Sequence, residues 1–189
     1  MKSRFTILQI FKQSAPVLMS MVFLSIITGS KLNAEFDFII NKNPVLLIAL
    51  PAFINISGDL ADVFASRLTS MIYSGRISSK FAPLALYFEN FLAILSISLT
   101  AFVLVALAGN TLADVLFQKS SEWISTMITI LLAGILATFI MSLIATIIIR
   151  ICYAKGLDPD SITPPICTTG GDLVGTFLLL FLANIFLVG

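Results

Sequence analysis

The chain alternates long apolar runs with short polar breaks, and the runs exceed what the elements of a soluble core require. Five of them, at roughly 14–32, 44–74, 81–109, 122–153 and 160–188, are each long enough to cross a hydrocarbon layer, which takes about 20 helical residues. The pattern predicts an all-α integral membrane protein with five transmembrane helices. The first run does not read as a cleavable signal, because Lys31 follows it at once and no small-x-small pattern marks its end. Pro44, Pro83 and the Pro164-Pro165 pair read as helix starts, where a missing N–H does little harm. Pro51 falls inside the second run and predicts a kink there.

Composition agrees with the pattern. The sequence is 58% hydrophobic and 11% charged, too little polar surface to cover a soluble core. Lys+Arg and Asp+Glu stand at 11 and 10, a balance that suggests no nucleic-acid partner. The absence of histidine excludes imidazole ligation and His-dependent catalysis. Cys152 and Cys167 form no CxxC and read as unpaired structural thiols. With the N-terminus in the cytoplasm, Lys2, Arg4, Lys12, Arg76, Lys80, Arg150 and Lys155 collect inside, against Lys31, Lys42 and Lys119 outside. That asymmetry obeys the positive-inside rule and puts the C-terminus, Gly189, outside a cell membrane. No loop is long enough to fold separately, so residues 1–189 read as one transmembrane domain in the lipid bilayer.

Four acids fall within the runs rather than at their ends: Asp59, Asp62, Glu89 and Asp172. A charge at mid-membrane costs about 2.5–3.5 kcal/mol on insertion scales, so each acid implies a polar cavity or a partner. In the second run Asn55, Asp59, Asp62, Ser66 and Thr69 are spaced 4, 3, 4 and 3, which keeps them on one helical face. In the last run Thr168, Asp172 and Thr176 recur every fourth residue, with glycines at 170, 171 and 175 beside them that let backbones approach. Internal pairing is the alternative for some of these acids, Asp59 or Asp62 with Arg67, and Glu89 near the cytoplasmic interface. Asp172 has no base on its own helix, and the acids in the runs outnumber the bases. Carboxylate and hydroxyl oxygens without His or paired Cys select a hard cation. So few carboxylates favour one that keeps much of its water, the habit of Mg²⁺, with Mn²⁺ and Ca²⁺ as alternatives. A sodium or proton pathway would also suit isolated aspartates. Thr126, Gly134, Thr138, Ser142 and Thr146 in the fourth run read as helix-packing positions.

The second run, "ALPAFINISGDLADVFASRLTSMIYSG", resembles the signature of the MgtE-type magnesium transporters and their eukaryotic solute-carrier relatives, with Gly58, Asp59 and "ASRLTS" at 65–70 on the pattern. "DPDSITPPICTTGGDL" is similar to the second motif of that family, with Asp158, Pro159, Asp160, Pro165, Gly171 and Asp172 in register. The resemblance covers about residues 15–188. It implies two five-helix units facing each other, a homodimer with a pathway at or near the twofold axis. It also implies that Asp172 lines this pathway and holds the transported Mg²⁺. Asp59, Asp62, Thr168 and Asn55 are the further expected ligands, with Gly171, Arg67, Ser66, Thr176 and Glu89 in support. Asp59 stands where the relatives usually carry asparagine, which makes this site more acidic. The cytoplasmic sensor domains of the bacterial relatives have no counterpart in the residues given, so the resemblance carries no gating by them.

Two rival readings remain. Intramembrane aspartyl proteases need Gly-x-Gly-Asp, but Thr169 stands two residues before Gly171, and Asp59 follows Gly58 rather than a tyrosine. A scaffold that moves no ion leaves the acidic stripes without a purpose. The expectation is therefore a cation transporter and not an enzyme, with a sodium- or proton-coupled exchanger as the alternative mode.

Overall fold

A computed structural model of the chain describes residues 7–35, 43–76, 84–117 and 122–187. It contains α1 (Ile7–Ala34), α2 (Pro44–Tyr73), α3 (Leu84–Phe117), α4 (Trp123–Lys155) and α5 (Pro159–Phe186), and no strand among the described residues. All five are long and apolar enough to cross a membrane, so the protein is a multi-pass membrane protein. Lys2, Arg4, Lys42, Lys80, Pro83, Lys119 and Gly189, used above for orientation and helix starts, lie outside the described residues.

The helix ends follow local chemistry. Asn43 caps α2 by accepting the Val45 N–H at 3.1 Å, and its amide donates to Thr126 Oγ1 of α4 at 2.9 Å, fixing two helix ends together. Pro44 sits at the first helical turn as expected. Pro51 lies inside α2, and the helix runs unbroken through it from Pro44 to Tyr73. Gly156 ends α4 in the left-handed region (φ 66°), where the Leu157 N–H reaches the Cys152 carbonyl at 2.8 Å. Asp158 then caps α5 by accepting from the Asp160 N–H and the Ser161 hydroxyl.

One start differs from the sequence reading. Pro159, not Pro164-Pro165, opens α5, and the proline pair lies inside the helix. A proline at 165 has no N–H for the Ser161 carbonyl. That carbonyl is taken instead by the Ser14 hydroxyl of α1 at 3.0 Å, while Gln13 Oε1 accepts the Asp158 N–H at 3.0 Å. These bonds attach α1 to α5, and among the described residues α1 packs against no other helix.

The core is the three-helix contact of α2, α4 and α5, with α3 laid on α2 and α4. Phe53, Phe64, Phe102, Ile130, Met141 and Leu179 are its largest buried side chains. Small residues admit the bulky ones: the face of Gly134 is filled by the Phe102 ring, whose other side meets Phe53 at 4.9 Å between centroids. The Ser98 and Thr138 hydroxyls pair 2.8 Å apart across α3 and α4, whereas the buried hydroxyls of Tyr153 and Thr163 have no partner among the described residues. Thr126, Thr138 and Ser142 are fully buried, and Thr146 bonds back to the Ser142 carbonyl, so the polar row of α4 serves packing.

Candidate functional site

α2 and α5 meet backbone to backbone. A Cβ built on Gly171 would stand 2.5 Å from the Gly58 Cα and 2.6 Å from its N, so the two backbones touch there with no side chain between them. Gly58 in turn faces the Thr168 backbone, and Gly175 packs on Ser57 and Phe53. As the α5 number rises the α2 number falls, so the helices are antiparallel.

This register decides where the acids go. Asp59 and Asp172 each follow a contact glycine by one residue, and each lies at the middle of its helix, 30 and 28 residues long. At 1.5 Å per residue Asp172 is about 20 Å along α5, deeper than a start at Pro164 would give. Asp59 is exposed, Asp172 is half-buried, and their charges lie close enough to repel. Asp62 is half-buried one turn from Asp59 and feels the same repulsion, and Asp160 at the start of α5 feels both Asp62 and Asp158. A trail of carboxylates therefore runs along the α2–α5 seam from the first turn of α5 to the middle of both helices.

The other expected ligands divide. Asn55 and Thr168 are exposed; Asn55 donates weakly to Asp59 at 3.5 Å, and the Thr168 hydroxyl donates to the Pro164 carbonyl at 3.0 Å, leaving its lone pairs outward. Thr176 is buried, on the flank of α5 that turns into the bundle. Thr69 is buried as well, so the exposed stripe of α2 continues through Ser66 to Ser70. Ser66 is exposed beside Arg67 rather than beside Asp172. Glu89 is exposed on α3, a helix that packs on α2 and α4 and stands apart from the seam.

Arg67 pairs with neither Asp59 nor Asp62. Among the described residues the one salt bridge is Lys31 with Glu35. Arg67 instead donates through Nε to Asn90 Oδ1 of α3 at 2.6 Å, and Asn90 donates to the Phe64 carbonyl at 3.4 Å. The reason is rotation: Arg67 points toward α3, about a third of a turn away from the face that carries Asp59 and Asp62. Asp160 was absent from the expected ligand set. The signal for it is the antiparallel register: with Gly58 opposite Gly171, Asp62 falls near Cys167, two turns from Asp160 at the start of α5.

Among the described residues no three acidic or thiol side chains gather closely enough to hold a metal within one chain. Cys152 and Cys167 are buried and unpaired. What the seam offers is a pair of carboxylates with amide and hydroxyl oxygens, a donor set for a hard cation that keeps most of its water.

The chain is thus an all-helical, multi-pass bundle with carboxylates along its α2–α5 contact. Residues 50–182 match the model of the MgtE family, described as divalent cation transporters, and the chain belongs to that family. It is similar to solute carrier family 41 member 3 of Rattus norvegicus, 24% identical over 146 residues that cover 75% of this chain and 31% of the relative. The protein of the same name from Mus musculus is 23% identical over 146 residues, with 75% and 29% covered. The chain thus spans under a third of the length of these curated relatives.

Proposed function

We propose that the protein carries divalent cations, Mg²⁺ first, across the cell membrane through the acidic α2–α5 seam. The observation that carries this reading is the Gly58–Gly171 contact, which sets Asp59 and Asp172 side by side at the middle of two spanning helices with no base paired to them among the described residues. Asp172 is the central ligand, with Asp59, Asp62, Asn55 and Thr168 around it. Asp160 and Asp158 stand at the mouth of the seam. Exposed carboxylates at this depth are unstable against lipid, so the seam faces a second copy across a twofold axis. Two copies bring two Asp172 and two Asp59 side chains together, enough negative charge to hold a divalent ion through its hydration water. The basic residues put the N-terminus in the cytoplasm and the C-terminus outside.

The family supports transport over proteolysis, and the sequence lacks the Gly-x-Gly-Asp that a protease of this kind needs. The test is flux into liposomes that contain only the purified protein, with Mg²⁺, Mn²⁺, Ca²⁺ and Na⁺ offered separately. Saturable Mg²⁺ uptake independent of sodium and proton gradients is the expected result. Uptake only with an opposing sodium or proton gradient would make the protein an exchanger, and no metal flux at all would refute the reading.

A further inference from the structure

A second polar site lies toward the C-terminal end of α2, where the exposed stripe continues beyond Asp62. Around the C-terminal end of that helix is a pocket of about 380 Å³ lined by Ser66, Arg67, Ser70, Met71, Ser74 and Arg76. Among the described residues its lining holds two guanidinium groups and three hydroxyls, and no acid. Such a set is costly against hydrocarbon and calls for an anion. Arg67 sits six residues before the helix end at Tyr73, about 9 Å below it, a depth its side chain can span to reach the phosphate layer.

Arg67 is also held in place. Asn90, 1% exposed on α3, accepts from its Nε at 2.6 Å and is itself tied to the Phe64 carbonyl. This leaves the four N–H groups of the two terminal nitrogens without a partner among the described residues, in the planar array that grips a phosphate two oxygens at a time. Arg76 lies just past the left-handed Gly75 (φ 73°), where its N–H closes the helix on the Met71 carbonyl at 3.0 Å, so the turn returns it to the pocket.

We propose that this pocket binds the phosphate of an anionic phospholipid. The protein is embedded in a membrane, the pocket opens on an exposed flank at the depth of the headgroups, and its charge is the complement of such a lipid. The site does not depend on the cation reading, since none of Asp59, Asp62 and Asp172 lines it.

The test is thermal unfolding of the full chain in mild detergent, titrated with dihexanoyl-phosphatidylglycerol, dihexanoyl-phosphatidylcholine or inorganic phosphate. The anionic lipid should raise the melting temperature saturably, and the other two should do little. Arg76→Gln should weaken the apparent affinity for the anionic lipid about tenfold, the loss of one charge-assisted contact, and Arg76→Lys should recover part of it. Ser70→Ala, which trims one exposed hydroxyl, should weaken it less and serves if the arginine variants fold poorly. The proposal is overturned if both variants titrate like the parent. It is also overturned if inorganic phosphate matches the lipid with the same dependence on Arg76, which would make the pocket a site for soluble anions.

Discussion

Adding one methyl group at Gly171 should force α2 from α5. The new Cβ would lie 2.5 Å from the Gly58 Cα, whereas ordinary contact begins near 3.4 Å, so the helices must part by about an ångström. The obstacle is backbone on both sides and has no rotamer in which to move away. The loss should therefore fall at the upper end of the overpacking range, roughly 3 kcal/mol, or about 6–12 °C in melting temperature for a chain of this length. Two neighbours calibrate it. Gly170→Ala meets only the flexible end of Met141 at 2.9 Å and should melt close to the parent. Gly29→Ala in α1 meets nothing within 4 Å and should gain about 0.5–1 kcal/mol, because alanine is the better helix former. Differential scanning fluorimetry of the three variants in one detergent gives the order directly. A Gly171→Ala protein that melts no lower than Gly170→Ala would refute the backbone contact and the placement of the two aspartates that follows from it.

The remaining predictions concern the acids, the arginine and the assembly. Asp59→Asn should leave melting within about 0.5 kcal/mol, as its side chain is exposed, yet raise the Mg²⁺ concentration for half-maximal uptake; unchanged affinity and flux would make the α2 stripe structural. Arg67→Ala should cost about 1–3 kcal/mol by leaving the buried Asn90 oxygen without its donor. Adding Asn90→Ala to that variant should cost little more, and strictly additive losses would contradict the pairing. Native mass measurement or cross-linking in mild detergent should show a dimer, and a protein that is monomeric at all concentrations would remove the second wall of the pathway.

Much of this architecture was legible in the chain because a membrane limits what a long apolar run can do. The five runs became five helices, although the described part of α1 already runs from Ile7, ahead of residue 14, and its Gln13 bonds to the start of α5. The helix phase of Asn55, Asp59, Asp62 and Ser66 was also legible, because a period of 3.6 follows from backbone geometry alone. Pairing was not. Sequence spacing placed Arg67 one or two turns from the acids of α2, but its partner, Asn90, is on another helix and 23 residues away. Nor could spacing show that Pro164-Pro165 lies inside α5, because the freed Ser161 carbonyl is satisfied by Ser14, 147 residues distant in sequence. The seam itself needed both kinds of information, since glycines at 58 and 171 announce close approach without naming each other.

The central claim is that Asp172 holds the transported ion, and the most direct measurement is Mg²⁺ uptake by Asp172→Ala in liposomes beside the parent. The side chain is half-buried at the middle of α5, so the variant should express, assemble and melt like the parent while saturable uptake disappears. Asp172→Asn should keep the shape and lose the charge, reducing uptake strongly, and the parent's affinity should fall at low pH as protons compete with the metal for the carboxylates. Uptake by Asp172→Ala with the parent's affinity and rate would contradict the account.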